Sequence, residues 1–513
     1  MPRLFPTLQR GRAACLPAVL IAFGLMLVCA FFYPFAALAQ QQCSTASDTT
    51  NNCSGTLTSG GGTAIGSVIP AVGSGQGTNN TTTNIANGSV LSGTDRTTIS
   101  IGNGNTLNIG SGPPGASVTT TTTTGTNSGI GSMYANGGPN TVEVGANNTI
   151  NISQGSTVSA MGNNARSEAI NVFGWGNTII NNGTIFANTS SAIFLQNNPD
   201  VITALPGGGN TNLTVPGVPG TFGTVMMNFG TITDVPNPNA APGTSGIAFA
   251  ETPQPEATAA NANRNVYFAN EPGAVVNGSI VLGNGNDTVE LFSGSTVNGD
   301  VDGGPSPYFI NGVRNKDTLI LNAQTAPGSL HGTLKDFDIL TKTGPFSWEI
   351  TGPLSSTRFL AVEDVQGTLI LSGDTPAPFN GSMTVDPDGT LQFGNGGTTG
   401  SLPVDVVNDG LVAFDRSDTM TYSNVISGSG GVNQIGTGTT IFGVPQLLPA
   451  PRRSWPAPWR RVASTSSARP LTPSWTAAGR LPCTALTRPS TMAWPMRERC
   501  SSEFQMSRLR ARR

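Results

Sequence analysis

Thr141-Val142-Glu143-Val144 and Thr149-Ile150-Asn151-Ile152 carry the pattern that decides the fold of this chain. Further runs of the same kind follow: Thr157-Val158, Ala169-Ile170-Asn171-Val172, Thr178-Ile179-Ile180 and Thr184-Ile185-Phe186. Each run is short and β-branched, and Asn-Gly, Gly-Asn or Asn-Asn pairs bound it, as is typical of strands joined by tight turns. No comparable stretch has helical spacing. The pattern therefore predicts an all-β fold.

Many short strands with Gly and Asn corners fit either a sandwich or a solenoid. Three features favour the solenoid: the pattern persists for about 300 residues, its units are self-similar, and only 6% of the chain is aromatic. A two-sheet core of that length needs more bulky side chains. We therefore predict a right-handed parallel β-helix over residues 136–446, whose Asn and Gly corners tolerate left-handed backbone geometry.

The N-terminus has the pattern of a targeting segment. Three arginines precede an apolar run from Leu16 to Phe35, and Ala37-Leu38-Ala39 offers a cleavage site between small residues. Residues 1–39 are predicted to be a signal peptide, although the run is also long enough for an uncleaved membrane anchor. Residues 40–135 are a low-complexity leader, rich in Thr, Gly and Asn, with weak strand signals.

Cys43 and Cys53 are the two cysteines left between this segment and the tail. In an oxidising compartment they could form a disulfide that closes a short polar loop. Two unpaired thiols remain the alternative.

Residues 447–513 differ from the rest in composition. They hold 13 Arg, no Lys and four of the six Trp, with no hydrophobic period. Such a composition is typical of GC-rich DNA translated in the wrong reading frame. We therefore expect residues 447–513 to be a frameshifted, disordered tail. A natural basic tail is the alternative.

The net negative charge of residues 40–446 argues against nucleic acid as a partner. Residues 40–446 carry 26 acidic and 9 basic side chains, a net charge of about −17. A surface of that sign repels phosphate backbones, so nucleic-acid binding is not expected.

Several later segments resemble one bacterial family, the autotransporters of type V secretion. Ile280–Val289, with Val297–Gly299 and Val301–Gly304, looks like its aspartate-glycine coil, and Asn315–Leu321 resembles the strand that follows it. Phe337–Gly344, with Trp348 and Thr351-Gly352, resembles the motif F-E-x-L-x-K-x-G-x-G-x-W-x-L-x-G. Gly389–Gly400 is close to the passenger-associated repeat, and Val425–Gly430 continues it.

The resemblance implies an exported, non-enzymatic passenger, placed in the periplasm, on the cell surface or outside the cell. Its expected partners are the outer-membrane secretion machinery, or glycans and proteins of host or cell surfaces. Family members end in a β-barrel translocator, whereas this chain ends Arg-Ala-Arg-Arg. A truncated passenger is therefore expected, with membrane contact only through the signal peptide and the missing barrel.

Calcium is the first candidate ligand. Asn and Asp side chains cluster near Gly-rich turns that could present oxygen ligands: Asn284, Asn286, Asp287, Asp300, Asp302 and Asp317. A calcium roll needs tandem nonapeptides, and one degenerate copy is present, so these residues are interpreted as solvated corners and no metal or cofactor is expected.

The alternative function is a secreted polysaccharide-acting β-helix enzyme. Candidate acids are the pairs Glu363-Asp364 and Asp386 with Asp388. His331 is the only histidine and has no protease signature around it, so no catalytic residue is assigned.

Aromatic residues are a further candidate. Trp175 could stack on a sugar or pack at a coil corner, and the second is favoured. Phe337, Phe346 and Trp348 are expected to pack within the C-terminal coils.

Overall fold

The computed structural model describes residues 50–59, 80–95, 97–123, 139–163, 167–196, 212–237, 246–251, 265–304, 309–310, 313–355, 360–448, 459–462 and 474–477. The predicted signal peptide, Cys43 and most of the tail lie outside these ranges.

The elements of the described residues are strands, numbered along the chain. The first part contains β1 (Thr50–Cys53), β2 (Thr56–Ser59), β3 (Thr82–Ile85), β4 (Val90–Thr94), β5 (Ile99–Ile101), β6 (Thr106–Ile109), β7 (Ser117–Thr122), β8 (Val142–Val144), β9 (Thr149–Ile152), β10 (Thr157–Gly162), β11 (Ile170–Val172), β12 (Asn177–Asn181), β13 (Thr184–Ala187), β14 (Ile193–Leu195), β15 (Thr224–Asn228), β16 (Thr231–Asp234), β17 (Ile247–Glu251), β18 (Val266–Asn270), β19 (Val275–Asn277), β20 (Ser279–Val281), β21 (Thr288–Phe292), β22 (Thr296–Asn298) and β23 (Val301–Asp302). The second part contains β24 (Phe309–Ile310), β25 (Val313–Arg314), β26 (Thr318–Asn322), β27 (Gly328–Leu330), β28 (Leu334–Lys335), β29 (Ile339–Thr343), β30 (Ser347–Ile350), β31 (Leu354–Ser355), β32 (Leu360–Leu371), β33 (Gly381–Phe393), β34 (Val406–Asn408), β35 (Leu411–Phe414), β36 (Thr419–Tyr422), β37 (Ile426–Ser427), β38 (Gly431–Gln434), β39 (Thr439–Phe442), β40 (Trp459–Val462) and β41 (Ser474–Ala477).

These strands wind into a parallel β-helix, which confirms the predicted fold class. Each coil visits three sheets in turn, as β9, β10 and β11 do, and each strand pairs in parallel with its counterpart in the next coil. The first sheet starts at β1, the second at β2 and the third at β5. The hairpin of β24 and β25 is an antiparallel addition to this scheme.

Alternation along each strand builds the core. In Thr149–Ile152 the two Ile side chains point inward and are fully buried, while Thr149 and Asn151 face outward. One continuous cluster of buried side chains runs from Cys53 to Phe442. Each buried Val or Ile contributes about 1.5–3 kcal/mol, so stability accumulates coil by coil.

The low-complexity leader supplies strands to the same helix. In its described part, β3 pairs with β6 and β6 pairs with β9 in unbroken register. Cys53 is buried and disulfide-bonded, while Cys43 lies outside the described residues.

The C-terminal coils change shape. The long strands β32 and β33 lie in the first sheet, where the first part of β32 pairs with β29 and its last part pairs with β30. Inside, the rings of Phe393 and Phe414 stack with centroids 5.3 Å apart. The described part of the tail forms one antiparallel pair, β40 with β41, and β41 also pairs with β39.

Candidate functional site

Two of the acidic corner residues, Asp287 and Asp317, form a column along the helix axis with Asp338. Asp287 Oδ1 accepts the backbone N–H of Val266 at 2.7 Å, and Asp317 Oδ1 accepts that of Asp287 at 2.9 Å. Asp338 Oδ2 accepts the N–H of Asp317 at 3.1 Å. Each carboxylate thus bonds to the coil before it, so Asp287 and Asp317, which were considered for calcium, have a structural role.

The other candidate ligands also bond within the coils. Lys335 Nζ lies 2.5 Å from Asp300 Oδ2. Burial raises the pKa of Asp300, but the hydrogen bonds from Lys335 and Thr333 and the charge of Lys335 together lower that pKa below its usual value. Asp302 Oδ1 accepts the N–H of Gly304 at 2.9 Å, and Asn286 Oδ1 accepts that of Lys316 at 2.8 Å.

Asn284 is buried. Within the described ranges, no group of three or more His, Cys, Asp or Glu side chains is placed to hold a metal.

Columns of stacked asparagine side chains also form hydrogen bonds between neighbouring coils in the N-terminal part. Asn148 Oδ1 accepts the backbone and side-chain N–H groups of Asn105 at 2.8 and 3.0 Å, and Asn148 Nδ2 donates to Asn177 Oδ1 at 3.1 Å. A second, partly exposed column joins Asn108 to Asn84 and Asn151. Stacked amides of this kind donate hydrogen bonds to, and accept them from, one another in neighbouring coils.

The candidate acid pair Glu363-Asp364 does not converge. Glu363 is exposed, whereas Asp364 is fully buried opposite Lys342 of the preceding coil. Lys342 Nζ donates to the carbonyls of Gly344 and Phe346 at 2.7 and 2.6 Å, and also to Gln366 O. Burial lowers the pKa of Lys342 and raises that of Asp364. The lysine of the motif-like segment therefore ties together three backbone carbonyls inside the solenoid.

His331 and the second acid pair lie at the surface. His331 is exposed, and its ring nitrogens lie 3.4 Å from Ser329 Oγ and 3.2 Å from Thr351 Oγ1. Asp388 is exposed and Asp386 half-buried. Among the described residues, these hydroxyls are the hydrogen-bond neighbours of His331.

Most of the aromatic candidates are buried in the coils and do not offer an exposed ring for stacking on a sugar. Trp175 is only 3% exposed at a coil corner, so no open ring face is available to a sugar. Phe337 and Trp348 are buried as expected. Phe346 is 42% exposed, unlike the expectation for it, because it sits on the turn between β29 and β30.

The most unusual polar cluster was not singled out in the sequence. Glu143, in β8, is fully buried, and its Oε1 accepts hydrogen bonds at 3.0 Å from Thr97 Oγ1 and Asn140 Nδ2. Glu168 is 5% exposed, and its Oε2 accepts one from Asn171 Nδ2 at 3.0 Å. Glu143 alternates with core valines, a pattern that predicts a solvated outward residue.

The ionisation of Glu168 is disfavoured in this cluster. Burial, with a smaller contribution from the nearby Glu143, raises the pKa of Glu168 to about 8, although hydrogen bonds from Ser190 and Asn171 act in the opposite direction. Perturbed carboxyls of this kind are frequent at functional positions.

A second cluster covers the first sheet from outside. Leu213, Val215 and Phe222 pack on Val225 and Tyr267.

Beside this cover, Tyr267 Oη donates to Glu290 Oε2 at 2.7 Å, and Asn322 Nδ2 donates to Glu290 Oε1 at 2.7 Å. Both carboxylate oxygens of Glu290 thus have a donor.

Among curated proteins, the chain is similar to the adhesin BmaC autotransporter of Brucella suis biovar 1 (strain 1330). The two are 41% identical over 80 residues, which is 15% of this chain and 2% of that protein. The chain therefore matches a small fraction of the relative's length. No protein-family model matches the chain, and no solved structure matches it.

No helix within the described residues is long and apolar enough to cross a bilayer.

Proposed function

We propose that this chain is the exported passenger of an autotransporter-like protein and acts as a surface adhesin. The observation that carries the proposal is a parallel β-helix combined with local similarity to an autotransporter adhesin. A rod of stacked coils presents the same outward positions again and again. Weak contacts repeated along such a surface add up to strong attachment.

The polar character of the rod supports this role. Outward positions on the strands are mostly Thr, Asn and Ser, as in Thr106–Ile109 and Thr149–Ile152. Hydroxyl and amide groups form hydrogen bonds with sugars and with exposed protein backbone alike. Glycans or proteins of a cell surface are therefore the partners proposed, and residues 1–39 are proposed to direct export.

Adhesion is tested with the purified full chain coated on beads. We expect the beads to attach to epithelial monolayers or to bacterial cells more than beads coated with heat-denatured chain or albumin. Attachment no greater than that of the albumin beads counts against adhesion.

Export is tested separately by fractionating Gram-negative cells that express the chain with or without residues 1–39. Retention of both forms in the cytoplasm counts against export.

No second function is proposed. An enzyme acting on polysaccharide needs acids that converge on an open face, whereas Glu143 and Glu168 converge in a buried place and Glu363 and Asp364 point apart. Release of sugar from polygalacturonate by the full chain would favour the enzyme instead.

A further inference from the structure

A groove lies on the outside of the first sheet, where β3, β6 and β9 end. It has a volume of about 380 Å³ and crosses three successive coils. Its lining residues are Asn84, Ile85, Ala86, Asn108, Gly110, Ser111 and Ser153. All seven are uncharged, and side-chain amides and hydroxyls supply the polar groups. The groove therefore suits a neutral, polar ligand.

The partly exposed asparagine column forms one side of this groove. Asn84, Asn108 and Asn151 are register partners in the three strands, and the residues beside each of them are buried, so their side chains point outward. Asn108 Nδ2 donates to Asn84 Oδ1 at 2.8 Å, and Asn151 Nδ2 donates to Asn108 Oδ1 at 2.8 Å. An amide has two N–H groups and two oxygen lone pairs. Within the described residues these contacts use one of each in Asn108, so one of each remains for a ligand.

A sugar hydroxyl matches this arrangement of donors and acceptors. Each hydroxyl donates one hydrogen bond and accepts others. Two neighbouring hydroxyls can therefore bond to the remaining N–H and oxygen of one amide at once. Successive amides in the column are separated by the strand spacing of about 4.7–4.9 Å. An elongated ligand along the rod axis can thus contact one amide per coil.

Two other classes of ligand fit the groove less well. A peptide that adds a strand to a sheet needs an open edge, whereas β6 is already paired on both sides, with β3 and β9. An anionic ligand needs a cation beside it, and the seven lining residues include none. The negative net charge of residues 40–446 repels anions further.

We propose that this groove binds a neutral saccharide through the amides of Asn84 and Asn108 and the hydroxyls of Ser111 and Ser153. Ser153 Oγ donates to Gly110 O at 3.0 Å, so its oxygen is held in place as an acceptor. The inference rests on the proposed role as an adhesin and names the ligand class, a glycan without acidic groups. Since the lining includes no aromatic ring, each contact is weak, and attachment needs many copies of the chain on one surface.

The test uses fluorescent beads coated with the purified full chain and a printed array of neutral and sialylated oligosaccharides. We expect the beads to bind neutral glycans, with no gain from sialylation. Asn108→Ala should lower the bead signal about tenfold, the effect of one or two lost hydrogen bonds. Asn298→Ala is the matched control, because Asn298 Nδ2 donates to Asn277 Oδ1 at 2.8 Å in a similar pair on the second sheet. It should bind as the wild type does.

A second variant separates loss of the site from loss of the fold. Ser111→Trp places a bulky ring at an exposed position of the groove and keeps both the amide column and the backbone bond to Asn87. It should abolish binding while thermal unfolding is unchanged. The proposal is overturned if no neutral glycan on the array binds the wild type, or if Asn108→Ala and Ser111→Trp bind as the wild type does. Equal loss in Asn298→Ala would also overturn it.

Attachment of the same beads to cells distinguishes this result from failure of the adhesin role. Attachment to cells without binding to any neutral glycan overturns the groove proposal alone. Attachment no greater than that of albumin beads counts against adhesion, whatever the array shows.

Discussion

Lys342 makes several buried polar contacts inside the solenoid at once. Its ammonium lies beside three backbone carbonyls and opposite Asp364. In Lys342→Met, Asp364 loses its buried cation and the carbonyls lose their donor. We expect a loss of about 3–5 kcal/mol in local stability. The measurement is hydrogen exchange of peptides from 339–371.

Two comparisons sharpen this test. Lys316→Met changes an exposed lysine and should stay within about 0.5 kcal/mol of wild type. Lys342→Met with Asp364→Leu should recover part of the loss, because the uncompensated charge is gone. Unchanged exchange in Lys342→Met alone would contradict the role given to this lysine.

Glu168 makes a pH prediction at the same scale. Its pKa is about 8 in the folded chain and 4.5 in the unfolded chain, and Glu143 is the titratable neighbour that acts on it. Between these values the folded state keeps a proton that the unfolded state has released. Stability should therefore fall as pH rises from 4.5 to 8, by at most about 1.4 kcal/mol per pH unit.

The measurement is the urea midpoint at pH 5, 6.5 and 8. Asp234, whose pKa burial raises to about 7, contributes with the same sign, so the wild-type slope is a sum. The informative quantity is the difference from Glu168→Gln, which should have the shallower slope. Equal slopes in the two proteins would show that Glu168 is not protonated in the folded state.

At the scale of the element, strand identity could be predicted from sequence and burial could not. Thr149–Ile152 is β9, as its alternation and its Asn-Asn corner predict. Glu143 has the same alternating pattern, yet it is fully buried and accepts a hydrogen bond from Thr97, 46 residues earlier in the chain. Such a contact depends on residues far apart in the sequence, so short-range periodicity contains no signal for it.

The candidate site was missed for the same reason. Asp287 and Asp317 were found as a cluster in the sequence, but their stacking on backbone amides depends on the register between coils. Glu143 and Glu168 come together only when β8 and β11 are adjacent. The one sequence signal was a polar residue, Glu143, between two valines. That pattern is equally typical of a strand with one solvated face.

The asparagine columns lead to a prediction about strands. Asn148→Ala removes the acceptor for Asn105 and the donor to Gly102 O at 2.9 Å, all in buried positions. We expect a cost of about 3 kcal/mol, since unsatisfied buried groups cost about 1–3 kcal/mol each. The check is hydrogen exchange in β6, β9 and β12.

The partly exposed column supplies a matched control for this element. Asn108→Ala removes the same kind of amide contact, with Asn84 and Asn151, where water can replace it. Its cost should be below about 1 kcal/mol. Similar costs for the two variants would mean that burial does not set the strength of these columns.

At the scale of the whole molecule, a glycine column connects the coils. A Cβ on Gly332 would lie 1.9 Å from Gly299 O, and a Cβ on Gly352 would lie 2.2 Å from Gly332 O. Gly299 is similarly tight against Gly278, at 2.4 Å. These distances leave no room for a side chain, so the close approach of consecutive backbones requires glycine.

A solenoid is stabilised by contacts between neighbouring coils, so a defect in one coil divides the stack. Gly332→Val forces the coils of Gly299 and Gly332 apart and should cost about 3 kcal/mol or more. We expect calorimetric unfolding of the variant to split into two transitions. Gly397→Val is the control, because a Cβ there meets nothing within 4 Å, and it should melt as the wild type does. If Gly332→Val also melts like the wild type, the glycine column does not couple the two halves of the rod.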